Sequence, residues 1–374
     1  MAYHSRPVWM EINLDNLAYN CRQVKRIVSS NTLLMGIIKA NAQGHGAVRI
    51  GKTLIENGID RFGVATLSEA IQLRKVYNNI PILILGYTPA YNAEDVINND
   101  ITQTIYSYEL AESFSNKAQQ LGKQVKFHIK IDTGMNRIGF KIGPETIDTI
   151  IKISHLPNII IEGIFTHFAV ADEDEAFTIE QYKKFKYICD SLEKSGIDIP
   201  IKHVSNSAAI MTMPELNLDM VRPGRILYGY CLQHEAIRNN IQLKKVMTLK
   251  TEICHVKEIN AGEGISYGLK YKADKTKKIA TLPIGYGDGF TGAGKVLVLV
   301  NGKSVPVVGR ITMDMCMVDV TEHDVSVEDE VIICGEEWED FMTLEILMWM
   351  SSRIPREYIK DGKIIYKDDY ILKS

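Results

Sequence analysis

Hydrophobic and polar positions follow two different patterns along the chain, and residues 14–240 show the first of them. Short apolar runs, typical of buried strands, recur there between stretches whose apolar residues stand three or four positions apart, as in helices. The predicted strands are Leu33–Ala40, Arg61–Leu67, Ile82–Gly86, Thr102–Tyr106, Lys126–Asp132, Ile160–His167, Ile201–Val204 and Asp219–Tyr228. Helices are predicted at Ala47–Glu56, Leu67–Val76, Pro89–Ile97, Tyr108–Leu121, Pro144–Ser154, Ile179–Glu193 and Ala208–Met213. Eight such strands in succession favour a parallel, TIM-like β/α barrel over a doubly wound sheet.

The second pattern begins after about residue 246, where short alternating runs are punctuated by Gly and Asp. It predicts antiparallel strands at Leu249–Val256, Ile279–Pro283, Val296–Val300, Lys303–Val308, Met315–Val320 and Glu330–Ile333, with a late helix at Leu344–Ser352. We therefore divide the chain into a β/α barrel of residues 14–240 and a mainly antiparallel β domain of residues 241–374. A predicted strand at Val8–Asn13 precedes the barrel and could join the second domain.

Composition and charge narrow the class of protein. Lys and Arg number 43 against 46 Asp and Glu, a net charge of −3 without a basic block, so nucleic acid and anionic membranes are not expected as partners. The N-terminal residues lack the apolar segment of a signal peptide, and no apolar run is long enough to span a membrane. The six cysteines are scattered, which predicts reduced thiols and no zinc site. Together these features predict a cytoplasmic protein.

Candidate chemistry collects where the predicted strands end. In a parallel barrel the carboxyl ends of all strands meet at one rim, where active sites lie. Polar residues follow those ends at Lys39, Arg137, His167, Asn206, Ser207 and Arg222. They predict a cationic rim suited to an anionic ligand, such as a phosphorylated cofactor with a carboxylate substrate.

Lys39 admits two interpretations. A lysine at the end of a strand can extend its amine to the surface. Alternatively, an amine partly withdrawn from water has a lowered pKa and can bond covalently to an aldehyde such as pyridoxal 5′-phosphate (PLP). The surrounding stretch does not decide between them, but the other rim residues favour PLP. Ser207 and the backbone at Gly224 could then hold the phosphate, whereas His167 alone would fit a buried core histidine equally well.

Several motifs occur in one order over nearly the whole chain. They are Ile38–Gly46, Asp132–Gly139, Thr166–Ala169, Asn206–Ala209, Val221–Gly224, Ile265–Gly268, Leu282–Tyr286 and Gly309–Asp314. This set resembles the alanine racemases, PLP enzymes built from a β/α barrel and a C-terminal β domain. The resemblance implies racemisation of a small amino acid, with L-alanine to D-alanine as the leading reaction, by a homodimer with shared active sites.

The resemblance also implies two bases on opposite faces of the substrate. Lys39 carries the cofactor and serves one face, and Tyr267 of the partner subunit serves the other. Racemisation requires opposed bases because a proton must leave one face of the α-carbon and return to the other. His167 would orient and tune Tyr267.

Further contacts follow from the same resemblance. Arg222 faces the pyridine nitrogen and, because arginine stays protonated, leaves that nitrogen unprotonated, which weakens PLP as an electron sink and limits side reactions. Arg137 and the backbone of Met313 hold the substrate carboxylate, and Lys130 matches a lysine that is carbamylated in some members. The implied PLP contacts are Lys39, His167, Asn206, Ser207, Arg222, Gly224 and Arg225.

Four positions depart from the family pattern. Gln43 and Ser352 replace usual tyrosines, Arg225 replaces a usual aliphatic residue, and Gly292 stands where an entrance arginine is common. The smaller residues predict that serine, or another slightly larger amino acid, is racemised beside alanine. Three alternatives stay open: a racemase of broader specificity, a PLP-dependent decarboxylase, and a PLP-binding protein without catalysis.

Overall fold

The computed structural model describes residues 6–231, 241–291, 296–335 and 350–368. The chain divides into two compact units. Leu17–Leu243 is called the barrel unit below, and Met1–Asn16 together with Lys244–Ser374 is called the β unit. Strands are numbered in chain order from β1 (Val8–Asn13), which lies in the β unit.

Eight parallel strands form the sheet of the barrel unit. They are β2 (Leu33–Ile37), β3 (Arg61–Val64), β4 (Ile82–Ile84), β5 (Thr102–Ile105), β6 (Val125–Lys130), β7 (Ile159–Phe165), β8 (Ile201–His203) and β9 (Met220–Val221). From β2 to β8, neighbours in sequence are paired, and β9 pairs with β2, which leaves β8 and β9 as the two edges of the sheet. Backbone bonds from Asp219 to Lys202 (3.1 Å) and from Arg222 to Ser205 (3.0 Å) join the remaining edges. The predicted β/α barrel is therefore confirmed, with the sheet nearly closed on itself.

Helices follow most of these strands. Their bounds are Leu14–Ile27, Ala47–Glu56, Leu67–Arg74, Ala93–Asn98, Tyr108–Leu121, Pro144–Ser154, Glu175–Lys194 and Ser207–Thr212, with short 3₁₀ turns at Ala90–Asn92, Pro214–Leu216 and Arg225–Tyr228. Side-chain caps fix several helix starts: Thr66, Ser107 and Asp174 each accept a hydrogen bond from a backbone N–H in the first turn. Thr66 and Ser107 stand two residues beyond the ends of β3 and β5, so these two helices begin close to the strand ends.

The β unit is mainly antiparallel. Its further strands are β10 (Met247–Glu252), β11 (His255–Ile259), β12 (Gly264–Ile265), β13 (Tyr271–Lys272), β14 (Lys277–Leu282), β15 (Leu297–Val300), β16 (Lys303–Val308), β17 (Cys316–Asp319), β18 (Glu330–Cys334), β19 (Arg356–Lys360) and β20 (Lys363–Asp368). Ten strands form one sheet in the order β11-β14-β17-β16-β15-β18-β10-β1-β19-β20, and β12 pairs with β13. Strand β1 is antiparallel to β10 and parallel to β19. The predicted fold class, a β/α barrel with a mainly antiparallel β domain, is confirmed.

Local boundaries differ from the sequence predictions. The strand expected at Leu33–Ala40 ends at Ile37, and the one expected at Leu249–Val256 is two strands, β10 and β11. Within the predicted late helix, residues 344–349 lie outside the described residues, and residues 350–352 are not helical. In the described ranges, no helix has the length and apolar character needed to cross a membrane.

Candidate active site

A cavity of about 620 Å³ opens at the carboxyl ends of the barrel strands. Its size suits a cofactor or small ligand. Of the described residues that line it, five have basic side chains, Lys39, Lys130, Arg137, Arg222 and Arg225, and one, Asp172, has an acidic side chain. A smaller cavity of about 380 Å³, beside Thr66 and Tyr87, has no basic side chain among its described lining residues. The larger cavity therefore favours a ligand with several negative charges.

Lys39 stands in an unusual turn two residues beyond the end of β2. Ala40, Asn41, Ala42 and Gln43 all have positive φ, between 51° and 56°, so the chain makes one left-handed turn before Gly44. Each such residue costs roughly 1–2 kcal/mol, and a run of four persists only where its surroundings hold it. The side chain of Lys39 is exposed, and its amine has no hydrogen-bond partner among the described residues. The partial withdrawal from water that we expected for this amine is therefore not found.

Side chains from other elements hold the turn. Glu69, in the helix after β3, accepts hydrogen bonds from Ala40 N (2.6 Å) and Ala65 N (2.8 Å), tying the turn to the end of β3. His45 Nδ1 donates to Ala42 O (2.8 Å), and its ring stacks on Tyr228 at 4.4 Å. Sequence reasoning missed both Glu69 and His45, because neither follows a strand end.

A second loop carries Arg137 to the cavity. The carboxylate of Asp132 accepts hydrogen bonds from Gly134 N (3.1 Å) and Asn136 N (3.0 Å), which folds the loop back on itself. Gly139 is required at the end of this loop, since φ is 137° and an added Cβ would lie 2.6 Å from Asp132 N. Arg137 itself is exposed at the cavity.

Lys130, at the end of β6, is buried with 3% of its surface exposed. Its amine has no hydrogen-bond partner within the described ranges and lies 4.5 Å from the centre of the Phe165 ring. Burial first, and then the positive charges of Arg222 and Arg137, hold the pKa of Lys130 well below its usual range. The cavity thus contains a buried amine that favours its neutral form.

Arg222 and His167 meet at the floor of the cavity. Arg222 Nη2 donates to Thr166 O and Val204 O, both at 2.8 Å, and to His167 Nδ1 at 3.3 Å. Because arginine only donates, His167 Nδ1 must accept, and a neutral imidazole then carries its proton on Nε2. Burial and the charge of Arg222 keep the pKa of His167 well below its usual range, consistent with this neutral tautomer.

The candidate phosphate contacts lie together in the lining of the cavity. Gly224 N donates to Ser207 Oγ at 2.9 Å. Asn206 caps the short helix that follows, accepting from Ala209 N at 3.1 Å, so its amide oxygen is already engaged. Arg225 pairs with Asp172 at 3.3 Å, a contact that the sequence did not predict. Gln43, one of the positions that depart from the family pattern, is not among the described residues that line the cavity.

The remaining candidates belong to the β unit. Tyr267 lies in a short 3₁₀ turn and is 68% exposed, and Met313 is 53% exposed. Ser352 is exposed as well. Gly292 lies outside the described residues. The barrel unit thus brings together Lys39, Lys130, Arg137, His167, Asn206, Ser207, Arg222, Gly224 and Arg225, whereas Tyr267, Met313 and Ser352 stand on exposed positions of the other unit.

Comparisons with known proteins agree over both units. A family model for the alanine racemase N-terminal domain matches residues 12–231, and one for the alanine racemase C-terminal domain matches residues 246–362. Alanine racemase 1 of Clostridium acetobutylicum is 45% identical, covering 99% of this chain and all of that protein. A solved alanine racemase of Clostridium difficile 630 has a TM-score of 0.95 at 42% identity, covering 99% of this chain and 100% of its own. A second structure of that protein, in complex with cycloserine, has a TM-score of 0.91 at 41% identity, with the same coverage.

Proposed function

Since the chain belongs to the alanine racemase family and is therefore an amino-acid racemase, we propose that it interconverts L- and D-alanine with PLP as its cofactor. The observation that carries the proposal is the cavity, whose described lining has five basic side chains, the reachable amine of Lys39 among them, and one acidic side chain. PLP brings a phosphate and an aldehyde, and alanine brings a carboxylate. These groups match the charges and the amine that the cavity offers.

The described residues fit PLP in a second respect. Arg222 has 3% of its surface exposed, and its described hydrogen bonds leave Nε and one Nη1 hydrogen without an acceptor. These two N–H groups are available to an acceptor in the cavity that Arg222 lines. An unprotonated pyridine nitrogen supplies one. When bound, PLP provides the electron sink for a negative charge at the substrate α-carbon.

The chain's own residues then divide the work between binding and proton transfer. Lys39 holds the cofactor and moves a proton on one face of the α-carbon. Tyr267 of the partner subunit moves a proton on the other face, in a homodimer. His167, neutral with its proton on Nε2, can donate to a phenolate oxygen and so favour the basic form of Tyr267. Arg137 and the backbone of Met313 hold the substrate carboxylate.

Phosphate contacts are proposed at Ser207, Gly224 and the backbone of Arg225, beside the capping residue Asn206. The hydroxyl of Ser207 accepts from Gly224 N and keeps its own proton to donate to a phosphate oxygen. The Arg225–Asp172 pair stands next to these groups in the cavity lining. It replaces the aliphatic wall that the family pattern led us to expect.

Lys130 is proposed to carry a carbamate. A neutral amine attacks carbon dioxide, forming an N–C bond and releasing one proton, and the low pKa of Lys130 favours that neutral form. The product is an anion that would offset the positive charges of Arg137 and Arg222, which now face an amine without a partner.

Substrate range is the finest part of the proposal: we expect serine turnover beside alanine, because Ser352 is smaller than the tyrosine usual there. A cytoplasmic location stays a prediction.

Two measurements on one preparation test the proposed function. The purified protein should be yellow and should convert either enantiomer of alanine to a mixture of both. Borohydride reduction should then fix the cofactor to the peptide that contains Lys39, and labelling at another lysine would overturn that assignment. Release of carbon dioxide would point instead to a decarboxylase, and a yellow protein without turnover would point to a PLP-binding protein.

A further inference from the structure

A series of hydrogen bonds, called the relay below, runs through the interior of the barrel. It leads from the cavity to the opposite end of the strands. Arg222 Nη1 bonds His203 Nδ1 at 2.9 Å, and His203 Nε2 bonds His128 Nδ1 at 2.8 Å. His128 Nε2 bonds Glu162 Oε2 at 3.2 Å, and Arg61 binds both oxygens of Glu162, at 2.6 and 3.2 Å. Both histidines are fully buried. None of Arg61, His128, Glu162 and His203 was singled out from the sequence.

Neighbouring residues leave room for the two histidine rings of the relay and pack against them. Gly163 faces the His128 ring, and a Cβ at that position would lie 2.5 Å from it. The ring of His203 stacks on Phe165 at 4.7 Å with an interplanar angle of 6°. Both rings are therefore held in position by packing as well as by hydrogen bonds.

The groups at the two ends of the relay fix the direction of donation in every hydrogen bond between them. Arg222 can only donate, so His203 accepts at Nδ1 and carries its proton on Nε2. His128 then accepts at Nδ1 and donates from Nε2 to Glu162, whose ionised carboxylate can only accept. Burial keeps the pKa of His128 and that of His203 below the usual range, as expected for two neutral rings. Burial would raise the pKa of Glu162, but the hydrogen bonds from His128 and Arg61 outweigh it and lower that pKa to about 2.

Arg222 has no direct carboxylate partner within the described part of the chain. The side chains that it bonds are the neutral rings of His203 and His167. Among the described residues, the charges of Arg222 and Arg137 lower the pKa of Lys130 and that of Asp132 raises it, so basic groups outnumber acidic ones in this part of the cavity. Burial, followed by the charge of Arg137, lowers the pKa of Arg222 to about 9. The negative charge linked to it by hydrogen bonds is that of Glu162, two imidazoles away.

We propose that Glu162 is a positioning residue that acts through His128 and His203, holding the guanidinium of Arg222 in place with free N–H groups toward the ring nitrogen of the cofactor. The inference rests on the proposed function. A carboxylate in direct contact with Arg222 would occupy the N–H groups that should face the cofactor. The relay supplies a compensating charge from a distance and leaves those groups available.

The first test uses the cofactor-free protein with ¹⁵N-labelled histidine. We expect His128 and His203 to show protonated Nε2 and unprotonated Nδ1 at neutral pH, with N–H protons that exchange slowly. Protonated Nδ1 on either ring would overturn the one-way relay, whatever the activity of the loaded enzyme.

The second test compares variants of opposite sign, each loaded with ¹⁵N-labelled PLP. Glu162→Gln removes the charge that anchors the relay, so Arg222 is held less firmly, the ring-nitrogen resonance should move toward that of an unbonded pyridine, and kcat for alanine should fall about tenfold. Arg61→Gln removes the positive charge that competes for Glu162, so the resonance should move in the opposite direction. Glu162→Asp, which keeps the charge, should restore much of the wild-type signal.

Asp100→Asn is the matched control. Asp100 is an exposed carboxylate with φ of 47°, paired with Lys126, and asparagine tolerates that backbone conformation. Its resonance and its kcat should stay within about twofold of the wild type. If both relay variants behave like Asp100→Asn while the protein racemises alanine, the inference is wrong but the proposed function stands. If the wild-type protein neither binds PLP nor racemises alanine, the proposed function itself has failed. A Glu162→Gln chain that does not fold leaves Arg61→Gln and the histidine tautomers to decide.

Discussion

The two units present their candidate residues in opposite ways. In the barrel unit, Arg222 and Lys130 are buried, and loops that converge on one cavity carry Lys39 and Arg137. In the β unit, Tyr267 stands 68% exposed in a short turn. A cavity with buried, fixed charges is preorganised to bind, whereas an exposed tyrosine can act only on something brought to it. On the proposed function, the barrel unit supplies binding and charge, and the β unit supplies Tyr267 to the site of the partner subunit.

The largest expected effect breaks the barrel's side of this comparison. Lys39→Ala should lower kcat for alanine by about 10²–10⁴-fold or more, because one proton-transfer group and the covalent attachment are lost together. PLP should then be removable by dialysis without a competing amine. Lys52→Ala, at an exposed lysine on the second helix, is the control and should leave both activity and cofactor retention unchanged. Activity within about tenfold of the wild type would show that Lys39 is not the catalytic amine.

Substrate choice tests the contribution of the β unit. Ser352→Tyr should lower kcat/KM for serine relative to alanine by about 10–100-fold, since one extra heavy atom in such a site changes discrimination by about 1–3 kcal/mol. Ser352→Ala removes the hydroxyl without filling the space and should leave the ratio nearly unchanged. If serine is not turned over by the native protein, or if tyrosine leaves the ratio where it was, Ser352 does not set the size of the site.

A smaller effect is expected from the buried amine of the barrel. Protein prepared with ¹³C-bicarbonate should show a carbamate signal, and Lys130→Met should abolish it. The same variant should lower kcat/KM for alanine about tenfold, because Arg137 loses a charged partner. The matched variant Lys126→Met, an exposed lysine in the same strand, should keep both the signal and the activity. A native protein without the signal would reject the carbamate.

The last effect is on stability, not on activity, and separates the two units by their response to acid. His128 and His203 are neutral in the fold with lowered pKa values, so below about pH 6.5 the unfolded chain binds protons that the folded barrel does not. Between pH 7.5 and 5.5 the free energy of unfolding of the barrel should therefore fall by about 2–3 kcal/mol. Glu162, whose pKa is lowered to about 2, also contributes to the free energy of unfolding. That contribution is retained above about pH 4.5 and lost as the pH falls toward 2.

Hydrogen exchange resolved by segment measures this difference. As the pH is lowered, the protection of backbone amides should decline at a higher pH in the barrel strands than in the β unit. His128→Asn should reduce that decline. His255→Asn, at an exposed histidine of the β unit, should not. Equal decline in both units would contradict the assignment of neutral buried histidines.

The sequence placed polar side chains at the cavity where they follow the apolar runs of predicted strands. Lys39, His167 and Arg222 were found because each follows an apolar run, and strand ends of a parallel barrel converge. The left-handed turn after Lys39 was not predictable, since only Gly44 and Gly46 signal positive φ and the four residues before them favour other conformations. The exposure of Lys39 was likewise missed, because it depends on that turn.

The relay was missed for a different reason. His128 and Glu162 interrupt apolar runs inside strands, where an isolated polar residue fits an outward-facing position as well as the barrel interior. A polar residue at an inward-facing position was the available signal, but strand register is needed to read it. Tyr267 and Met313 came only from the resemblance, because their exposed turns carry no hydrophobic pattern.

The most direct test of the central claim, that a site in the barrel unit is completed by Tyr267 of the partner subunit, uses hybrid dimers. Chains carrying Lys39→Ala and Tyr267→Phe are each expected to be nearly inactive. Differently tagged and purified as hybrids, they should recover about half of the wild-type activity per dimer, because in a two-fold dimer one of the two sites regains both native groups. Hybrids of demonstrated composition that are no more active than their parents would contradict the shared site.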